Sequence, residues 1–240
     1  MKILIIRHAE PDYKNNTITE KGWREANLLA KRLAKLPLGD IYVSPLGRAQ
    51  DTAAPTLELT GKSATTLDWL HEFRARVWSE ERGKPVVPWN FRPRFFQEHP
   101  ELMNKDEWLT NEFMQSGNVR EVYEETVAEL DRLLERYGYV RDGYVYKCEK
   151  NLDTTIVLFC HLAMGLLLVS HFTAVAPSVL WRSFFLPTSS VTEIVTEEFV
   201  PGEVFFRCRY LGDTSHLYAG DEPISPMGIG VEFYEQKKKK

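Results

Sequence analysis

Two short apolar runs in this 240-residue chain each end directly on a histidine, and no other feature constrains its fold as strongly. Residues 3–6 read Ile-Leu-Ile-Ile and lead into Arg7-His8, while residues 154–160 read Thr-Thr-Ile-Val-Leu-Phe-Cys and lead into His161. Continuous runs of this length, rich in β-branched residues, are strands buried on both faces, which places them in a sheet covered by helices. Thr19 reads as the N-cap of a helix whose Ala26, Leu29, Ala30 and Leu33 share one face, with Pro37 and Gly39 closing it. Residues 41–43 (Ile-Tyr-Val) make a second short strand, and Ser44-Pro45-Leu46-Gly47-Arg48 turns into a helix near Ala49. Strand, loop, helix, strand, turn, helix predicts an α/β fold: a three-layer sandwich with a central, mostly parallel sheet and helices on both faces.

Between residues 73 and 118 the periodicity breaks down among Trp78, Trp89, Trp108, Pro85, Pro88, Pro93 and Pro100. Regularity returns with a helix striped by Val122, Tyr123, Val127, Leu130, Leu133 and Leu134 and stopped near Gly138. After the strand at 154–160 an apolar helix resumes at Met164. Residues 191–196 and 204–210 read as two closing strands turned at Pro201-Gly202. The expected organisation is a single domain over residues 1–240 with residues 73–118 inserted into it as a cap. Lys237-Lys238-Lys239-Lys240 reads as a solvated tail.

Several functional classes are excluded by charge and cysteine usage. Thirty Lys and Arg stand against 34 Asp and Glu, a net charge of −4, which does not suit a nucleic-acid or membrane-surface binder. Cys148, Cys160 and Cys208 are odd in number and form no C-x-x-C pair, so neither a disulfide framework nor a zinc ribbon is expected. The N-terminal apolar run is too short for a signal-peptide core, and the later apolar stretch is interrupted by His161, Ser170 and His171, unlike a membrane span. A cytoplasmic protein with reduced thiols is the simplest expectation. No H-x-x-x-H or H-E-x-x-H spacing occurs, so no metal site is predicted; His71, His99, His171 and His216 read as structural or exposed.

In open α/β sheets, ligands bind beyond the carboxyl ends of the strands. If the two histidine-terminated strands are parallel neighbours, His8 and His161 converge on one pocket, with Arg7 beside the first. Arg48, opening the helix after the second strand, completes two imidazoles and two guanidiniums. Such a cluster suits an anion, because guanidinium forks match phosphate oxygens and a helix N-terminus adds N–H donors.

The motifs that carry these residues resemble a known family. Arg7-His8-Ala9-Glu10 is similar to the R-H-G signature of the histidine phosphatase superfamily, the phosphoglycerate-mutase-like fold. Thr19-Glu20-Lys21-Gly22, continuing to Glu25-Ala26, resembles its L-T-x-x-G-x-x-Q-A element, and residues 44–53 (Ser-Pro-Leu-Gly-Arg-Ala-Gln-Asp-Thr-Ala) its S-P-L-x-R-A-x-x-T-A element. Leu70-His71-Glu72 resembles the L-x-E that supplies an acid, and Cys160-His161 falls where the second histidine does. Ala9 and Leu162 stand where the family has glycine, the second narrowing the pocket. The family's asparagine after R-H-G has no clean counterpart, as Lys14 holds the aligned spacing and Asn15 follows it.

The resemblance implies a metal-free, cofactor-free phosphatase acting on a small phosphomonoester. His8 is the implied nucleophile, forming a phosphohistidine, and Glu72 the general acid and base, preferred on the motif over Glu10 and Asp68. Arg7, Arg48 and His161 hold the phosphate, His161 also counting among the catalytic residues. Alternatives are a phosphoglycerate mutase that returns the phosphoryl group to substrate, and a phosphate-binding module without turnover. The inserted stretch carries Arg74, Arg76, Arg82, Lys84, Arg92 and Arg94 against Glu80, Glu81 and Glu98. Family insertions here cap the pocket and select the substrate; an excursion whose tryptophans serve only its own small core is the equally weighted alternative. The natural substrate and the oligomeric state are not legible.

Overall fold

In the computed structural model, which describes residues 1–80, 82–89 and 93–228, the chain runs through β1 (Lys2–Arg7), α1 (Glu20–Leu33), β2 (Ile41–Val43), α2 (Gly47–Thr60), β3 (Ala64–Thr66) and α3 (Val119–Glu135). It continues through β4 (Val140–Asp142), β5 (Val145–Lys147), β6 (Thr155–Cys160), α4 (Leu162–Thr173), α5 (Pro177–Ser183), β7 (Val191–Val200), β8 (Glu203–Asp213) and α6 (Ser215–Ala219). Among the described residues the strands form one eight-stranded sheet in the order β3-β2-β6-β1-β7-β8-β5-β4. Glu81, Arg92 and the lysines at 237–240, singled out in the sequence, lie outside the described residues.

The alternation of side chains along a strand builds the layers. Ile3 and Ile5 of β1, with Ile156, Leu158 and Cys160 of β6, enter one apolar cluster together with residues of α3, α4 and α5. Leu4, Ile6, Val157 and Phe159 point the other way, into a second cluster closed by Leu29 and Leu33 of α1 and Ala49 and Ala53 of α2. A core on each face of the sheet makes the three layers.

The parallel order expected from the sequence holds for β3, β2, β6 and β1. From β1 outward through β7, β8, β5 and β4 every ladder is antiparallel, so the sheet is mixed. For β7 and β8 the reason is local: only Pro201 and Gly202 separate them, and a two-residue turn joins only antiparallel strands. Gly202 takes φ +82°, as that turn requires.

Helix α1 starts at Thr19, whose side chain accepts from the Gly22 N–H at 3.0 Å, and ends at Ala34, a few residues before Pro37 and Gly39. Helix α3 stops at Glu135, and Gly138 follows at φ +82°. The described part of residues 73–118 holds a two-stranded hairpin (Val77–Ser79 with Lys84–Val86) followed by single-turn and short helices. Their Phe96, Leu102, Trp108, Leu109 and Met114 join the same cluster as α3 and α4, so this stretch shares the main core and does not build a separate one. Among the described residues no helix is long and apolar enough to cross a membrane, and Cys148, Cys160 and Cys208 are all free.

Candidate active site

Strands β1 and β6 are parallel and in register, Arg7 opposite Cys160, so both chains leave the sheet at the same edge. The His8 N–H donates to the Cys160 carbonyl at 2.9 Å, extending the ladder by one residue. The two imidazoles therefore meet: the ring centroids of His8 and His161 are 5.2 Å apart, with the planes at 60°. Both are buried, at 2% and 0% exposure. Arg7, also 2% exposed, lies beneath them, with Nη1 donating to the Leu186 carbonyl, Nη2 to that of Met227 at 3.5 Å, and Phe185 5.1 Å from its guanidinium carbon.

Arg48 arrives on the second residue of α2. Its Nη1 donates to the Asn16 side-chain carbonyl at 3.3 Å, and its guanidinium carbon lies 5.4 Å from the Tyr13 ring. This loop-on-helix contact depends on a glycine, because a Cβ at Gly47 would stand 2.1 Å from the Asn16 carbonyl oxygen. Tyr13, 60% exposed, also sets its ring edge-on to His8, at 6.5 Å.

Glu72 sits at the start of α4, the helix that begins after His161. Its Oε1 accepts the N–H groups of Phe73 at 2.9 Å and Met164 at 3.0 Å. The charge of Glu72 acts on both Arg7 and Arg48. Its rivals lie elsewhere: Glu10 accepts from Thr19 at 2.9 Å and from Ser225, and Asp68 is exposed on a single helical turn.

Electrostatics favour an empty-handed, neutral pair of imidazoles. Burial first, then the Arg7 guanidinium, hold the His8 pKa well below the ordinary imidazole range. Burial and then His8 do the same for His161. The His8 Nδ1 lies 2.8 Å from the Ala9 carbonyl, which can only accept, so Nδ1 carries the proton and Nε2 the lone pair. Three buried nitrogens here, Arg7 Nε, Arg48 Nε and His161 Nδ1, have no protein partner. Buried polar groups are ordinarily bonded, and a cluster of two guanidiniums and two imidazoles could hold an oxyanion.

A shell of further contacts fixes the loops. Ala9 donates through its N–H to Thr52 Oγ1 at 2.9 Å, and its φ is not positive, so an alanine fits where the resembling family has glycine. Glu25, fully buried on α1, accepts the Glu10 N–H at 2.9 Å and the Thr188 hydroxyl at 3.0 Å. Ser189 donates its N–H to the His8 carbonyl at 3.1 Å, and Arg7 its N–H to the Ser190 carbonyl at 3.2 Å. The side chain of Leu162 packs against the α3–α4 core.

All five residues singled out in the sequence thus occupy one edge of the sheet. Sequence reasoning missed Asn16, Tyr13 and the bond from Ser44 to His161. Lys14 and Asn15 are instead tied to Asp12, their N–H groups donating to its carboxylate at 3.1 and 3.2 Å. Asn16 sits at φ +52°, a conformation asparagine tolerates better than most residues, and the Asn15-Asn16 turn was the signal for it. His171, by contrast, is a buried structural residue bonded to Asp131 at 2.8 Å.

This fold and this edge define a class: the chain belongs to the histidine phosphatase superfamily (branch 1), whose family model matches residues 3–204. Among particular relatives, a protein of Schizosaccharomyces pombe described as a probable phosphatase is 27% identical over 231 residues, covering 90% of this chain and 95% of that protein. Solved structures share the fold. A mycobacterial glucosyl-3-phosphoglycerate phosphatase in complex with VO3 superposes with a TM-score of 0.57 at 17% identity, covering 88% of this chain and 98% of that one. A phosphoserine phosphatase from Entamoeba histolytica in complex with 3-phosphoglyceric acid gives 0.56 at 20% identity, covering 90% and 98%.

Proposed function

We propose that this protein is a phosphatase that hydrolyses a small phosphomonoester through a phosphohistidine on His8. The observation that carries the reading is the His8 tautomer: with Nδ1–H held by the Ala9 carbonyl at 2.8 Å, the nucleophilic lone pair stands on Nε2. A neutral imidazole is needed for attack, and burial with the neighbouring guanidinium keeps it neutral.

The phosphate seats on Arg7, Arg48 and His161, whose unpaired donors offset its charge and strengthen as charge spreads over the equatorial oxygens. His8 Nε2 attacks phosphorus as the ester P–O bond breaks, and Glu72 gives a proton to the departing alkoxide. In the second step Glu72 takes a proton from water, the water oxygen attacks phosphorus, the N–P bond breaks, and orthophosphate leaves with His8 restored. The two guanidiniums supply the positive charge the reaction needs, so the chemistry proceeds without a metal.

Residues 73–118 form a cap within a single domain in this reading, since they run on from Glu72 and share the main core. Phosphoserine and glucosyl-3-phosphoglycerate, named for the structural relatives, set the substrate scale as small phosphorylated metabolites. Three free thiols suit a reducing compartment, and the cytoplasm is the proposed location.

The test is hydrolysis of p-nitrophenyl phosphate by wild type and His8→Ala, with an alkaline quench to trap the N–P adduct. Turnover and a trapped adduct on His8, both absent in His8→Ala, are expected. A wild-type protein that binds phosphate without turnover sinks the proposal in favour of a binding module, and 3-phosphoglycerate isomerised without phosphate release sinks it in favour of a mutase.

A further inference from the structure

Ser44 directly follows β2 and opens the turn into α2, and its side chain is fully buried. Its Oγ lies 2.7 Å from His161 Nε2 and 3.3 Å from the Leu46 backbone nitrogen. The Leu46 N–H can only donate, so the serine oxygen accepts there. Two arrangements of the remaining protons are then possible, and they are not equivalent.

If the Ser44 hydroxyl donates to Nε2, every group in the chain is satisfied up to His161, whose proton must sit on Nδ1. If instead Nε2–H donated to Ser44, the serine proton would have no acceptor in a fully buried position, a penalty of roughly 1–3 kcal/mol. That second arrangement would also turn a bare Nδ1 lone pair toward an incoming anion. The buried Nδ1 has no protein partner, a state it shares with Nδ1 of His171 and His216, so the assignment rests on the Ser44 geometry. Burial and the surrounding cations exclude the third possibility, a doubly protonated ring, in the ligand-free protein.

We infer that Ser44 is a positioning residue that fixes the tautomer of His161, so that Nδ1–H is presented to the phosphate. The two histidines at the strand ends are thereby set in opposite senses by different partners: the Ala9 carbonyl makes His8 a nucleophile through Nε2, and the Ser44 hydroxyl makes His161 a donor through Nδ1. This role rests on the phosphate-binding reading given above.

The experiment combines a direct observation with a double-mutant cycle. Nitrogen-15 spectra of histidine-labelled wild type should show His161 with a protonated Nδ1 and a bare Nε2, the Nδ1 resonance moving when orthophosphate is added. Ser44→Ala should mix the tautomers and weaken orthophosphate binding about tenfold, the size of one charge-assisted hydrogen bond. In a His161→Ala background the same Ser44→Ala change should cost nothing further. A proton on Nε2 in the wild type overturns the inference, as does an equal loss in both backgrounds, which is what a merely structural serine would give. Should Ser44→Ala fail to fold, the wild-type tautomer decides alone. Binding and spectra need no turnover, so inactivity toward p-nitrophenyl phosphate would refute the proposed reaction while leaving this assignment to stand or fall separately.

Discussion

The backbone N–H of Met164 donates to Glu72 Oε1 at 3.0 Å, so the Glu72 carboxylate and His161 are organised by the same helix end. A carboxylate there is favoured by the exposed N–H groups and the helix dipole. Because Oε1 takes both backbone N–H groups, the proposed mechanism leaves proton transfer to Oε2. Glu72→Gln keeps an oxygen acceptor for the same N–H groups and loses only the transferable proton. The variant should fold normally and lose about 10²–10⁴ in kcat on an alkyl phosphate. In the first-step burst, which excludes N–P hydrolysis, its loss on p-nitrophenyl phosphate, whose leaving group needs little protonation, should be far smaller; equal burst-rate losses on both substrates would remove Glu72 from the acid role.

Arg48→Ala deletes one of the two guanidiniums while leaving β1 and β6 untouched. Orthophosphate inhibition should weaken roughly 10–100-fold, as expected for a charge-assisted pair. The inhibition constant measured against p-nitrophenyl phosphate checks it, and an unchanged constant would place Arg48 outside the pocket.

Gly47→Ala tests the contact between the first loop and α2. A Cβ 2.1 Å from the Asn16 carbonyl oxygen forces the backbone apart, and forced overpacking costs about 1–3 kcal/mol. A lowered urea midpoint together with a raised KM is expected, since Asn16 touches Arg48. A variant with wild-type stability and KM would show that the loop yields freely.

Acid should unfold the protein early. Burial is the main cause lowering the pKa of His8, His161, His171 and His216, the last to about 4. In the unfolded chain these groups protonate near about 6.5. Between about 6.5 and 4 the unfolded state therefore binds more protons, so stability is full above that window and falls as pH drops through it. Urea midpoints at pH 7.5, 6 and 5 should decline in that order.

Chelation provides the simplest check on the charge balance. With Arg7 and Arg48 supplying the cations, dialysis against EDTA should leave kcat unchanged. A loss restored by a divalent metal would contradict the metal-free chemistry.

Much of this was legible because local rules and tertiary demands agree. A buried strand must be apolar throughout, so the ends at His8 and His161 stand out, and Thr19 before Gly22 announces a helix start. The parallel half of the sheet follows from strand–helix alternation. The Pro201-Gly202 turn announces the β7–β8 hairpin as well, but nothing in residues 191–213 says that β7 will lie against β1, nearly 200 positions earlier in the chain. Asn16 escaped notice since motif spacing pointed one or two residues earlier, whereas the turn bonded to Asp12 decides which asparagine reaches Arg48. Ser44 was read as part of a turn motif, and its bond to His161 depends on two strands lying side by side. Hydrogen-bond partners of that kind arise only after the sheet exists.

The place of β1 between β6 and β7 has a consequence for biosynthesis. Along this chain β1 meets its earliest ladder partner only at Thr155, opposite Lys2. Until that segment emerges, Ile3, Leu4, Ile5 and Ile6 wait without a template, exposed to chaperones and to other nascent chains. The edge where His8 and His161 meet thus forms late in translation, and products truncated before residue 155 should be insoluble.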